Sequence, residues 1–166
     1  MAATASRILV PVDFSEPSRA ALDYAVDFAP KLGASLVLLH VVGDPITWDA
    51  WNPDVYTGDR QALIDALVAD ARTRLEDIAA ARHGVAIDVQ VAVGVASQGI
   101  VDTAAEQQCN LIIIGTHGRT GVAHALIGSV AERVVRTARC PVLTVRPERE
   151  HPEVKSEPVL VSSVPS

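Results

Sequence analysis

Sulfur and aromatic rings are scarce in this chain of 166 residues, which has two cysteines, one methionine and two each of tryptophan, tyrosine and phenylalanine. Two cysteines, Cys109 and Cys140, make neither a disulfide framework nor a metal-type cluster. Basic charge is also short. Lys and Arg number 14 against 20 Asp and Glu, a net charge of −6, which disfavours nucleic acid as the partner. No apolar run is long enough to span a bilayer. The opening MAATASR lacks the apolar core of a signal peptide. The expectation is a cytoplasmic protein with neither nucleic acid nor membrane as partner.

What is present is a globular composition. Apolar residues make up 49% of the chain, enough for one real core. ILVPVD (8–13) reads as a buried strand, with Pro11 placed where the chain leaves the sheet because proline cannot donate to a ladder. FSEPSRAALDYAVDFAPKLG reads as a helix. Ser15 caps it, Pro17 suits its first turn, Gly33 stops it, and Ala21, Leu22, Ala25, Phe28, Ala29 and Leu32 mark its apolar face. SLVLLHVV (35–42) is a second strand, and 43–58 a turn-rich loop carrying Trp48 and Trp51. Residues 59–84 form a long amphipathic helix, 85–94 an alternating strand nearer an edge, and 96–108 a shorter helix. LIIIG (111–115) is apolar throughout, as a central parallel strand should be. A helix over 128–138 and a strand over 140–146 complete the order. Strand and helix alternate, which implies right-handed crossovers and a parallel sheet with helices on both faces.

Glycines stand at 115, 118, 121 and 128, and glycine is costly to order. The segment leaves the fourth strand and feeds a helix beginning near Ser129. In an open parallel sheet, ligands bind beyond the carboxyl ends of the strands where strand order reverses. If the first and fourth strands are neighbours, Asp13 and Gly115 end at one crevice. Free N–H groups and the positive helix end there favour an anion. The letters are not those of GxxxxGK[ST], nor of GxGxxG after the first strand, where DFSEPS stands. They are Gly115-x-x-Gly118, nine residues, then Gly128-Ser129.

That spacing, with ILVPVD at the start and SVAERVV followed by CPVLTVR at the end, resembles the universal stress protein family over residues 7–146, in its ATP-binding branch. Residues 1–6 are then an arm and 147–166 a mobile tail. The resemblance implies a Rossmann-like α/β fold, an open five-stranded parallel sheet in the order 3-2-1-4-5. It also implies a homodimer joined through the fifth strand and a nucleotide-dependent sensor in stress response. The ligand is expected to be ATP, its Mg²⁺ held mostly by phosphate oxygens and water; the pocket letters leave cyclic AMP open. By the same resemblance, Pro11, Val12 and Asp13 line the adenosine end, with Asp13 near the ribose, and Val41 meets adenine through its backbone. Ile114, Gly115, His117 and Gly118 sit by ribose and phosphates, and Gly128, Ser129, Val130 and Ala131 cradle the phosphates. Gly121 keeps a turn role only.

Several positions carry two readings. Asp13 either meets ribose or caps the first helix with Glu16. Arg119 either reaches terminal phosphates or is a solvated loop residue. His117 has no second ligand at a useful spacing, so it is read as touching the nucleotide and not a metal. Trp48 and Trp51 anchor their loop, the alternative being a flap over the adenine end or a partner contact. Cys109 and Cys140 are read as reduced buried thiols, the alternative being oxidative coupling at the sheet end away from the nucleotide. PVLVS (158–162) echoes PVLTV (141–145), so the tail is either disordered or adds to a sheet edge. Two other functions remain open: a slow ATPase or nucleotide-dependent transferase, for which no general base can be named, and an interaction module with little nucleotide binding.

Overall fold

The computed structural model describes residues 6–43, 60–116 and 128–147. Five strands form one parallel sheet: β1 Arg7–Pro11, β2 Ser35–Val42, β3 Ile87–Val93, β4 Leu111–Gly115 and β5 Val142–Val145. Their order is β3-β2-β1-β4-β5. Order therefore reverses between β1 and β4, and the expected 3-2-1-4-5 sheet is what the chain adopts. Pro11 is the last residue of β1, so its missing donor falls where the ladder ends.

The four helices are α1 Glu16–Phe28, α2 Arg60–Ala80, α3 Ala96–Glu106 and α4 Ser129–Thr137. Strand residues alternate between two cores. On one face Ile8, Val10, Leu36, Leu38 and Ile113 pack with Ala21, Leu22 and Ala25 of α1 and Leu75 of α2. On the other face Leu9, Val37, Leu39, Ile112 and Ile114 pack with Ile100 and Ala104 of α3 and Ala131 and Val134 of α4. Burial on both faces is why β2 and β4 are apolar runs with no polar alternation. No helix among the described residues is long and apolar enough to cross a membrane.

Ser15 caps α1 as expected: its Oγ accepts from the Ser18 N–H at 3.5 Å. The far end departs from expectation. Pro30 has no N–H to give to the previous turn, and the chain tightens into a 3₁₀ turn over Ala29–Leu32 before Gly33 turns left-handed at φ 59°. The change of pitch swings Leu32 off the apolar face, and it stands 51% exposed. Helix α2 ends at Ala80, short of Gly84, whose φ of 84° makes the turn into β3.

Candidate functional site

A cavity of about 340 Å³ opens at the carboxyl ends of the central strands. Strand β1 and its exit contribute Pro11, Val12 and Asp13. Strand β2 contributes Leu39 and Val41, and the end of β4 contributes Ile114, Gly115 and Thr116. The first turns of α3 and α4 close it with Ala96, Ile100, Gly128, Ser129 and Val130. This is the strand-order reversal, where open parallel sheets take ligands, and the volume lies within the range of small-molecule sites, about 300–1,000 Å³.

The cavity wall has two chemically different parts. Leu39, Ile100 and Ile114 are nearly fully buried and make an apolar floor. Another part of the wall is the start of α4, at Ser129, with no side-chain cap from Gly128. The N–H groups of Ser129, Val130 and Ala131 precede the first helical hydrogen bond, in which Glu132 N–H donates to Gly128 O at 2.9 Å. Of these, Ser129 and Val130 line the cavity, and with the positive end of the helix they make an anion-favouring wall.

Nine of the residues expected at a nucleotide site line this one space: Pro11, Val12, Asp13, Val41, Ile114, Gly115, Gly128, Ser129 and Val130. Ala131 does not line it; its side chain is 3% exposed and belongs to the core beneath α4. His117, Gly118, Arg119 and Gly121 lie outside the described residues, as do Trp48, Trp51 and the tail. Ser18, Leu39, Ala96, Ile100 and Thr116 line the cavity without having been singled out from the sequence. Thr116 directly follows Gly115 and was within reach of a sequence argument. Ser18, Ala96 and Ile100 arrive from helices whose placement depends on tertiary packing.

Two glycines prove to have reasons other than phosphate approach. A Cβ on Gly115 would lie 2.5 Å from the carbonyl oxygen of Pro17. Its missing side chain is what lets the start of α1 rest against β4. Gly128 has ordinary extended geometry, φ −70° and ψ 153°, and its N–H donates to Thr116 O, so it is not a free donor. Asp13 is not the cap of α1, which is Ser15. Asp13 lines the cavity, and its Oδ1 accepts from the Ser15 N–H at 3.0 Å and from the Ser15 hydroxyl. The carboxylate thereby supports the capping residue without being the cap.

The sequence matches the Universal stress protein family over residues 4–146. The chain belongs to the universal stress protein family. Universal stress protein MJ0531 of Methanocaldococcus jannaschii is 32% identical over 147 residues, covering 87% of this chain and 84% of that protein. The solved structure of MJ0577, from the same organism, superposes with a TM-score of 0.72 at 27% identity, covering 89% of this chain and 99% of that one. A universal stress protein solved in complex with cAMP shares the fold, with a TM-score of 0.57 at 24% identity over 87% of this chain and 98% of that one.

Within this family member, no group of three or more His, Cys, Asp or Glu side chains suited to a metal occurs among the described residues. Asp13 is the one carboxylate in the cavity wall among them. The two cysteines belong with the core on the α3/α4 face. Burial lifts the Cys109 thiol from 9.0 to about 11, outweighing the pull of the Arg7 charge, and burial also raises Cys140. Since the thiolate is the reactive form, both are held protonated near neutral pH, which slows their reaction. Native protein is expected to react with a disulfide reagent at pH 7 far more slowly than urea-unfolded protein, which exposes two thiols. Rapid native reaction of either thiol would contradict this.

Proposed function

We propose that the cavity binds an adenine nucleotide, ATP with its Mg²⁺, and that this universal stress protein is a nucleotide-dependent sensor or regulator in stress response. One observation carries the reading: the reversal of strand order brings an apolar floor and an uncapped helix N-terminus into one cavity. A base would lie against Leu39, Val41 and Ile100, and phosphates against the N–H groups of Ser129, Val130 and Ala131. Asp13 would accept from a ribose hydroxyl. His117, Gly118 and Arg119 are proposed beside the phosphates on the resemblance alone. The cAMP-bound relative supports the capacity of the fold for such ligands. The wall suits a cation that arrives with the nucleotide, because phosphate oxygens and water would supply most of its ligands.

The regulatory logic is population shift: a nucleotide that binds one conformation of the protein better than another changes the surface on display. β5 is a sheet edge, and edges of short apolar strands call for a partner. Pairing of β5 with its copy in a cytoplasmic homodimer is part of the proposal. Sedimentation should then give twice the 17.5 kDa of the chain, and a monomer would remove that part.

Calorimetric titration of nucleotide-free protein tests the ligand. ATP with Mg²⁺ is expected to bind at micromolar affinity, about 8 kcal/mol. ADP, AMP and cyclic AMP rank what the phosphate end reads. Equal affinity for ATP and adenosine would mean that the helix end does not hold phosphates. Phosphate release abolished by a cavity substitution would move the reading to an ATPase, and no binding by folded protein would end it.

A further inference from the structure

A second cleft, of about 540 Å³, opens between α1 and α2 on the opposite face of the sheet. Its apolar wall includes Phe14, Leu22 and Ile78, and three arginines, Arg19, Arg74 and Arg82, also line it. Asp77 is the one acid in the wall among the described residues.

The three arginines offer more donors than the protein uses. Arg82 gives one terminal nitrogen to Asp23 Oδ1 at 2.5 Å, while its buried Nε has no hydrogen-bond partner. Arg74 lies over the Phe14 ring, 3.6 Å from its centroid, and the Asp70 carboxylate is 3.7 Å away, too long for a hydrogen bond. Arg19 is exposed and makes no side-chain ion pair or hydrogen bond among the described residues. Leaving a buried donor unmade is costly, and a guanidinium fork matches the paired oxygens of a carboxylate or phosphate.

The wall between this cleft and the first cavity is one residue thick, since Val12 and Ser18 line both. Phe14 in that wall holds a left-handed φ of 65°, uncommon for an aromatic residue. Its ring is fixed between Arg74 on α2 and His40 on β2, 4.7 Å between ring centroids, and His40 Nδ1–H donates to Val12 O at 2.7 Å. The strained turn gives the second cleft a rigid aromatic side beside its cations.

We propose that this cleft is a second ligand site, taking a small molecule that carries a carboxylate or phosphate group on an apolar body. The proposal does not rest on the nucleotide reading.

Amide NMR spectra of the full chain, titrated with phenyl phosphate, benzoate and neutral benzyl alcohol, test it. Phenyl phosphate or benzoate is expected to cause saturable shifts at Phe14, Arg19, Ile78 and Arg82, and the tighter of the two names the anion. Benzyl alcohol should bind about tenfold more weakly, as should either anion to the Arg19→Gln, Arg74→Gln double variant. Arg19→Gln alone, at an exposed position, should lose part of the affinity with an unchanged unfolding midpoint. Saturable shifts absent for both anions, or undiminished in both variants, would overturn the proposal. So would shifts confined to Gly115, Ser129 and Val130, which would put the anion in the first cavity.

Discussion

Gly115→Val should lose at least about 3 kcal/mol of stability in urea unfolding, at or beyond the upper end of overpacking costs. The added Cβ would sit 2.5 Å from Pro17 O, 2.6 Å from Pro17 C and 3.1 Å from Pro17 Cβ. Two of those three atoms are backbone, so no side-chain rotation relieves the clash. The first turn of α1 would have to move away from β4, and Ser15, which caps that turn, would move with it. Domains of this size are stable by about 5–15 kcal/mol, so the variant would be marginal or unfolded. Gly115→Ala meets the same carbonyl and should also be destabilised. A loss below about 1 kcal/mol would mean that α1 does not rest on β4 as described.

Ala96→Trp should do the reverse: leave the fold intact and empty the cavity of its ligand. Ala96 is the first residue of α3, half-exposed and on the cavity wall. An indole there would occupy the space proposed for the base and displace no fully buried neighbour. A loss of affinity for ATP of at least about a hundredfold is expected, close to 3 kcal/mol, with the thermal midpoint within about 3 °C of the parent. Undiminished ATP binding by the folded variant would place the nucleotide elsewhere.

Much of the fold was legible because burial on two faces leaves a plain mark. The runs SLVLLHVV and LIIIG give β2 and β4 with the bounds read from the letters. Ser15, Pro17 and Gly33 mark the ends of the first helical segment through local backbone chemistry. Strand order was not in the periodicity at all; it came with the family resemblance. Leu32 was misread because Pro30 changes the helical pitch, which a face drawn at 3.6 residues per turn cannot register. The glycines have further roles that their spacing does not reveal. Spacing says that a backbone comes close to something, and at Gly115 that something is Pro17 O of the protein itself. Gly128 likewise spends its N–H on Thr116. Ser18 stayed hidden because its place on the cavity depends on α1 docking against β4.

The most direct test of the cavity as a nucleotide site compares adenosine and ATP with Mg²⁺ by amide NMR on the nucleotide-free protein. Adenosine is expected to shift Val12, Val41 and Ile100, and ATP to shift these together with Ser129, Val130 and Ala131 at the start of α4. Saturable shifts of both groups in the ratio of one nucleotide per chain would support the account. No saturable shift in either group, from a protein whose spectrum shows it folded, would contradict it.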